Sequence, residues 1–255
     1  MSMCNKIKLG IVIQARTGSS RLPDKILKKF YNEKTILDLL LENVKSNFSD
    51  IPVILATSIN QNDSILEKIA EKFSIDFYRG SENNVLSRFI DVGNKFELTH
   101  IVRICSDNPF LNMPSIKRLI DNLNSSEIDY LSFCNHLGIP AIRTHIGLFA
   151  EIVSLGALIK ADEFQNEALY QEHVTNYIYS HPQQFNIVLK PSPCEVYNRD
   201  DIRMTLDDID DFENLAELYK IAHKNKEDLA FLVDLIDKNE GFKIKMINNI
   251  KKYSK

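Results

Sequence analysis

The chain has 255 residues, of which 44% are hydrophobic and 26% are charged, and this composition is typical of one globular domain with a sizeable core. The net charge of −4 argues against a broad nucleic-acid-binding surface, and no apolar run is long enough to cross a bilayer. The first residues lack the parts of a secretory signal, and the four cysteines form no C-x-x-C pair, so we expect a cytoplasmic protein without structural zinc or disulfides.

Short apolar runs alternate along the chain with segments of helical period. The apolar runs predict extended segments at Leu9–Ile13, Pro52–Ala56, Ile75–Tyr78, His100–Ile104, Ile128–Cys134, Ile146–Val153, Phe185–Leu189 and Ile202–Leu206. Such alternation is typical of βα units and predicts an α/β fold, with a mostly parallel twisted sheet and helices on both faces. No internal repeat or linker divides the chain, so we expect a single domain over residues 1–242.

Segments with apolar residues at helical spacing lie between these runs. They predict helices at Ile36–Phe48, Ile65–Phe73, Val85–Phe96, Pro114–Leu123, a short one from Ser154, Ala168–Ser180, Phe212–Tyr219 and Leu229–Ile236. Asn62 or Asp63 is expected to cap the second helix, and Asp210 with Glu213 resembles a capping box at the seventh.

Two segments fit neither period. Residues 135–144 contain Gly138 and Pro140 and predict a loop. Residues 243–255 end in a lysine-rich sequence, which predicts a basic tail that is frayed and solvated.

A basic loop, residues 15–25, follows the first predicted strand. Its small residues and cations are Gly18, Ser19, Ser20, Arg16, Arg21 and Lys25. Small residues after a strand can turn backbone N–H groups into an anion nest, and guanidinium groups bind phosphate oxygens in pairs, so the loop suits a triphosphate. It is not a Walker A loop, because that spacing is absent. The alternative is a surface loop whose basic side chains are merely solvated.

Acidic residues lie at the ends of two later extended segments. Asp107 follows His100–Ile104, and Asp207 follows Ile202–Leu206. Ligands of open α/β sheets lie at the carboxyl ends of strands, so we expect both carboxylates to face the basic loop. The alternative for Asp107 is a turn-forming aspartate that bonds to nearby backbone.

Three strings of this sequence resemble bacterial cytidylyltransferases that activate sugars. The first is Ala15-Arg16-x-x-Ser19-x-Arg21-Leu22-Pro23-x-Lys25 in the basic loop. The others are Arg79-Gly-Ser-Glu-Asn-Asn-Val-Leu-Ser-Arg88 and Glu172-His173-Val174-Thr175-x-Tyr177-Ile178, which are similar to the spore-coat polysaccharide type. The family also includes the 3-deoxy-manno-octulosonate and acylneuraminate cytidylyltransferases.

The resemblance implies a Rossmann-like nucleotide-diphospho-sugar transferase fold and a defined reaction. A sugar or sugar-acid oxygen attacks the α-phosphorus of CTP and pyrophosphate leaves. The nucleotide-binding residues implied are Ala15, Arg16, Gly18, Ser19, Ser20, Arg21, Lys25, Arg79 and Arg88. The alternative for Arg79 and Arg88 is ordinary charge flanking a helix. The resemblance further implies that Asp107 and Asp207 bind Mg²⁺, which prefers oxygen ligands, and that Arg16 and Lys25 act with them in catalysis. Relatives are often dimers, so a homodimer is expected.

Three further residues are candidates for contact with the sugar acceptor: Arg103, Glu172 and His173. A satisfied polar pair on a helix explains Glu172 and His173 as well. The loop at 135–144 is expected to contribute to the acceptor pocket.

The sequence departs from the family pattern at two places. Ser106 stands where the family has glycine before the aspartate, and a positive φ there would strain a serine. Asp208 and Ile209 stand where the family has Thr-Pro. The spacing of Asp208 and Asp210 also permits another class, a glycosyltransferase that holds the metal of a nucleotide-sugar. A catalytically silent nucleotide-binding module is the third hypothesis.

Overall fold

The computed structural model describes residues 6–164 and 167–253. Within these residues nine strands form two sheets. The strands are β1 (Leu9–Gln14), β2 (Lys29–Tyr31), β3 (Lys34–Thr35), β4 (Val53–Ser58), β5 (Asp76–Gly80), β6 (His100–Cys105), β7 (Tyr130–Cys134), β8 (Glu151–Ser154) and β9 (Ile187–Pro191). The main sheet has seven strands in the order β5-β4-β1-β6-β8-β7-β9, and β2 pairs with β3 in a small ribbon.

Most pairings in the main sheet are parallel. β1 pairs in parallel with β4 and β6, β4 with β5, and β7 with β9, while β8 is antiparallel to both of its neighbours. The strand order therefore changes direction beside β1, where the chain runs outward to β4 on one side and to β6 on the other. Ligands of such sheets bind at this kind of switch point. The predicted α/β fold with a mostly parallel sheet is confirmed.

Helices cover both faces of this sheet. They are α1 (Ile36–Asn47), α2 (Ile65–Phe73), α3 (Val85–Lys95), α4 (Met113–Asp121), α5 (Leu155–Phe164), α6 (Ala168–Glu172), α7 (Asn176–Ser180), α8 (Ile209–Ala222), α9 (Leu229–Asp237) and α10 (Glu240–Tyr253). Alternate residues of β1 show the two layers, because Ile11 and Ile13 pack in one buried cluster and Val12 packs in the other. No helix in the described ranges is long and apolar enough to cross a membrane.

Two predictions of regular structure are wrong near the site. Ile202–Leu206 forms no strand; it is held by single backbone bonds, from Met204 N to the His145 carbonyl at 3.0 Å and from Leu206 N to the Asp107 carbonyl at 3.3 Å. The extended segment predicted over residues 146–153 is a strand only at β8. Gly147 has a φ of +59°, and a Cβ there would lie 2.6 Å from the Met204 carbonyl carbon, so only glycine allows this close approach.

The prediction of one continuous helix over residues 168–180 is wrong. It is divided into α6 and α7, and the break covers His173–Thr175. Thr175 at the break donates through Oγ1 to Glu151 Oε1 at 2.8 Å. This hydrogen bond to the sheet fixes the break between the two helices. The spacing of apolar residues along the chain gives no sign of such a bond between distant positions.

The predicted caps are wrong at two helices. Asn60, rather than Asn62 or Asp63, caps the turn before α2 by accepting from Asn62 N at 3.0 Å. Asp208, rather than Asp210, caps α8 by accepting from Asp211 N at 3.0 Å.

The prediction of a frayed C-terminal tail is wrong for residues 243–253, because α10 extends to Tyr253 and its last turn contacts Asp208. Residues 254–255 lie outside the described residues, as does Cys4. Cys105, Cys134 and Cys194 are free thiols.

Candidate active site

A polar cavity of about 250 Å³ lies at the carboxyl ends of β1 and β6; we call it the main cavity. Ten residues singled out from the sequence line it: Arg16, Ser19, Ser20, Arg21, Lys25, Arg103, Asp107, Glu172, His173 and Asp207. The basic loop contributes five of these residues, and its Lys25 and Arg21 contact Asp107 and Asp207 directly. Folding therefore brings together residues from four separate parts of the sequence.

The basic loop is held in place by a buried carboxylate. Asp63 Oδ1 accepts from both the backbone N and Oγ1 of Thr17 at 2.7 Å, and Asp63 Oδ2 accepts from the Ser58 hydroxyl. Burial alone would raise the pKa of Asp63, but these hydrogen bonds outweigh it and hold that pKa below its ordinary value. Asp63 therefore stays ionised and anchors the loop to the segment after β4.

The backbone of the loop curls upon itself. The Thr17 carbonyl accepts from Ser19 N at 2.8 Å and from Asp24 N at 3.1 Å, and Asp24 adopts a left-handed φ of 56°. The Ser19 N–H is thus directed back into the loop, so the predicted anion nest does not include this group. The side chains of the loop, more than its backbone, supply the positive groups that face the cavity.

Each cation of the loop pairs with a carboxylate across the cavity. Lys25 Nζ lies 2.7 Å from Asp107 Oδ2, Arg21 bonds to Asp207 Oδ1, and Arg16 lies 3.6 Å from Glu172. Lys25 is the most buried of the three, with 12% of its side chain exposed, and the arginines are about half exposed. The positive and negative groups of the cavity are therefore balanced before any ligand binds.

Asp107 and Asp207 lie close together although a hundred positions separate them in the sequence. Lys25 Nζ bonds at 2.7 Å both to Asp107 Oδ2 and to the carbonyl of Leu206, the residue before Asp207. The backbone N of Leu206 also donates to the Asp107 carbonyl at 3.3 Å. One ammonium group thus joins the two acidic segments. Ser106 is not among the positive-φ residues of the described chain, so the expected strain is absent.

A buried arginine orients Asp207. Arg203 Nη2 donates to Asp207 Oδ2 at 2.7 Å and to Asp211 Oδ2 at 2.8 Å, and Arg203 Nη1 lies 2.6 Å from His145 Nδ1. Burial and the neighbouring Arg203 lower the pKa of His145, so its ring is neutral and accepts from the arginine. Sequence reasoning missed the part that Arg203, Asp211 and Asp63 play at the site, since none of them lies in a family string and Asp63 was considered only as a helix cap.

Arg103 lies in the floor of the cavity within a second buried network. Its Nη1 donates to Glu151 Oε1 at 2.6 Å and its Nη2 donates to Gln14 Oε1 at 3.1 Å. Glu151 also accepts from the Tyr130 hydroxyl at 2.5 Å. Burial and the Glu151 charge raise the pKa of Tyr130 well above its ordinary value, so the phenol stays protonated. Sequence reasoning also missed Glu151, which offsets the charge of Arg103.

A side cavity of about 350 Å³ adjoins the main cavity. The two share Arg103, Cys105, Asp107, His173 and Asp207 in their lining. Ile142 and Thr144 of the loop at 135–144 also line the side cavity, and the loop's contact with an acceptor stays a prediction. A molecule in the side cavity would lie beside the two aspartates.

Four of the expected nucleotide-binding residues do not line the main cavity: Ala15, Gly18, Arg79 and Arg88. Ala15 is buried and Gly18 is exposed. The guanidinium of Arg79 donates to three consecutive carbonyls that begin at the last residue of β4, and Arg88 donates to the carbonyls of Ser81 and Glu82. The two arginines hold loops beside the main cavity, and a role for them in nucleotide binding stays a prediction.

The donors present suit a divalent cation that also binds substrate. Asp107 and Asp207 offer carboxylate oxygens to one cavity, which matches the preference of Mg²⁺ for one or two carboxylates plus phosphate oxygens. In the described part of the chain no three His, Cys, Asp or Glu side chains cluster as a metal site, so phosphate and water would complete the coordination.

Asp208 and Asp210 do not form an alternative metal pair. Asp208 caps α8 and bonds to Lys252 and Tyr253, while the Asp210 side chain is 64% exposed at the surface.

The fold and the site together define a nucleotidyltransferase: a mostly parallel sheet, a basic loop after its first strand, and two aspartates across the cavity. A family model described as cytidylyltransferase matches residues 10–245. The chain belongs to the cytidylyltransferase family.

Known proteins resemble the chain over most of its length. Spore coat polysaccharide biosynthesis protein SpsF of Bacillus subtilis is 31% identical over 234 residues, which cover 89% of this chain and 93% of that protein. A cytidylyltransferase structure from Leptospira borgpetersenii is 28% identical in sequence and superposes with a TM-score of 0.81. The match covers 93% of this chain and 97% of that one. The fold is shared with the structure of CMP:2-keto-3-deoxy-manno-octonic acid synthetase complexed with CTP, which matches with a TM-score of 0.61 at 16% sequence identity. That match covers 85% of this chain and 99% of that one.

Proposed function

We propose that the protein transfers CMP from CTP to an oxygen of a sugar or sugar acid and releases pyrophosphate. The observation that carries this proposal is the shared cavity, which three cations of the basic loop line together with Asp107 and Asp207. A triphosphate needs the cations, and a divalent ion bound to it needs the carboxylates. The family supports cytosine as the base.

In this proposal the basic loop binds the β- and γ-phosphates. Arg16 and Arg21 present planar guanidinium groups that donate in pairs to phosphate oxygens, and Lys25 supplies a compact charge deeper in the cavity. These groups are in place before the reaction. They stabilise the charge that develops on pyrophosphate as it leaves, which is the usual task of preorganised cations in phosphoryl transfer.

Asp107 and Asp207 would hold Mg²⁺, which neutralises charge on the α-phosphate when bound. Arg203 contributes by fixing the Asp207 carboxylate, because it donates to Oδ2 from a fully buried position. The hydrogen bonds of Arg203 to Asp211 and His145 hold its guanidinium in place. The aspartate therefore keeps one orientation as ligands bind.

The side cavity is proposed to bind the acceptor. It is lined by polar groups that suit a hydroxylated ligand, among them Thr144, His145, His173 and Thr205. An acceptor there would lie beside Asp107 and Asp207, from which its oxygen can approach the α-phosphorus in line with the leaving pyrophosphate. We expect the product to enter the synthesis of a surface glycan, as the name of the Bacillus subtilis relative suggests.

Pyrophosphate release tests this function. The protein is incubated with Mg²⁺, one of the four NTPs and a panel of sugars, sugar acids and sugar phosphates. We expect pyrophosphate to form with CTP when a suitable acceptor is present, and much less with ATP, GTP or UTP. Transfer from a nucleotide-sugar without pyrophosphate would favour a glycosyltransferase, and CTP binding without turnover across the panel would favour a silent module.

A homodimer in the cytoplasm stays a prediction. Light scattering of the purified chain measures the oligomeric state directly.

A further inference from the structure

The last turn of α10 reaches the basic loop. The ring of Tyr253 lies against two arginines: its centroid is 4.8 Å from Cζ of Arg21 and 5.0 Å from Cζ of Arg203. The hydroxyl of Tyr253 donates to Asp208 Oδ2 at 2.7 Å. The side chain therefore contacts a cation of the loop through its ring and the start of α8 through its oxygen.

We propose that Tyr253 is a positioning residue for triphosphate binding and that it acts through Arg21. This inference rests on the proposed function only in taking the ligand to contain a triphosphate. A guanidinium that stacks on a ring by its face keeps its N–H edge available for phosphate oxygens. The ring thus limits the rotamers of an arginine whose side chain is 49% exposed, and it leaves the donors of that arginine available.

A small polar cluster fixes the position of the ring. Asp208 accepts from Lys252 Nζ at 2.7 Å and from Asn249 Nδ2 at 3.2 Å, in addition to the Tyr253 hydroxyl. Asn249 also donates to Asp211 Oδ1 at 2.8 Å. One buried carboxylate, next in sequence to Asp207, therefore ties the end of α10 to the start of α8.

The ring and the hydroxyl have separate tasks in this arrangement. The ring contacts Arg21 and therefore affects the affinity for triphosphate. The hydroxyl contacts Asp208 and therefore affects how firmly α10 is attached. Replacement by leucine removes both, whereas replacement by phenylalanine removes only the hydroxyl.

Calorimetric titration of the full chain with inorganic triphosphate, CTP and CMP, each with Mg²⁺, tests the inference. We expect Tyr253→Leu to weaken binding of triphosphate and CTP by roughly three- to tenfold, which is the range expected for loss of a cation–π contact and of preorganisation. CMP lacks the phosphates that Arg21 would bind, so its affinity should not change. Tyr253→Phe should recover most of the lost affinity while its melting temperature stays below that of the wild type.

The Arg21→Ala background separates positioning from a general loss of structure. If the ring acts through Arg21, adding Tyr253→Leu to Arg21→Ala should cause no further loss of triphosphate affinity. Tyr197→Leu is the matched control, because the Tyr197 ring contacts His136 and should not alter binding.

Three results would overturn the inference: unchanged affinity in Tyr253→Leu, equal loss for CMP and CTP, or equal loss with and without Arg21. Wild-type protein that binds inorganic triphosphate without preferring CTP would count against the proposed function alone, since the Tyr253 comparison can still be made. Wild-type protein that binds neither triphosphate nor CTP would overturn both.

Discussion

At the scale of single residues, the cavity is a set of opposed charges held by buried neighbours. Arg16 pairs with Glu172 at 3.6 Å and Lys25 pairs with Asp107 at 2.7 Å. The residues behind them are less exposed: Asp63 holds the basic loop and Arg203 holds Asp207. The charged groups that line the cavity are available to a ligand, and the buried groups Asp63 and Arg203 fix their positions.

Arg16→Ala should weaken CTP binding by about tenfold, because one charge-assisted contact to the β- or γ-phosphate is lost. CMP has neither phosphate, so its affinity should change less than about twofold. Calorimetric titration of both nucleotides with Mg²⁺ measures the difference. Equal weakening of CTP and CMP would contradict the assigned role of Arg16.

Asp63→Asn should lower the free energy of unfolding by about 1–3 kcal/mol at neutral pH, because a buried, multiply bonded carboxylate is lost. The folded pKa of Asp63 lies below its ordinary value of 3.8, so its ionised form contributes stability above that value and loses the contribution as the pH falls through the folded pKa. The difference between wild type and variant should therefore shrink below about pH 3.8, as measured by urea unfolding at several pH values. A difference that is constant down to pH 2 would show that the charge of Asp63 does not stabilise the fold.

At the scale of elements, the contacts between α8 and α10 give the acidic segment its shape. Asp208 caps α8 and accepts hydrogen bonds from three side chains of α10. Burial alone would raise the pKa of Asp208, but hydrogen bonds led by that of Lys252 lower it below its ordinary value. The helix that was expected to be a frayed tail thus stabilises the turn that presents Asp207.

Asp208→Ala should lower the free energy of unfolding by about 1–3 kcal/mol, since the cap of α8 and the bonds to α10 are lost together. Asp208→Asn keeps a capping oxygen and should lose less. Chemical unfolding of both variants measures the order. If Asp208→Ala and Asp208→Asn have the same free energy of unfolding, the capping oxygen of residue 208 does not stabilise α8.

The main elements could be predicted because each has a local pattern. Buried parallel strands appear as apolar runs and helices as residues at helical spacing. The rule that ligands bind at strand ends led to the expectation that Asp107 and Asp207 would meet, although the segment before Asp207 forms no strand. Contacts between distant positions leave no such pattern. Asp63 bonds to Thr17 across 46 positions, Glu151 to Arg103 across 48, and Lys252 to Asp208 across 44. The loop anchor Asp63, the Glu151 partner of Arg103 and the ordered C-terminal helix were missed for this reason.

At the scale of the whole molecule, the proposed triphosphate binding would require the paired charges of the main cavity to separate. A triphosphate bound to Arg21 and Lys25 would draw them from Asp207 and Asp107, and the freed carboxylates would then be available to a cation. Metal and nucleotide should therefore strengthen each other's binding by the same factor, as linkage requires.

Titration of CTP with and without Mg²⁺ tests the central claim, that Asp107 and Asp207 jointly bind a divalent ion beside the triphosphate. Mg²⁺ should strengthen CTP binding by about tenfold or more in the wild type and in Asp210→Asn, a control at an exposed position. The same addition should have less than about a twofold effect in Asp107→Asn and in Asp207→Asn. Full strengthening by Mg²⁺ in both of these variants would contradict the account.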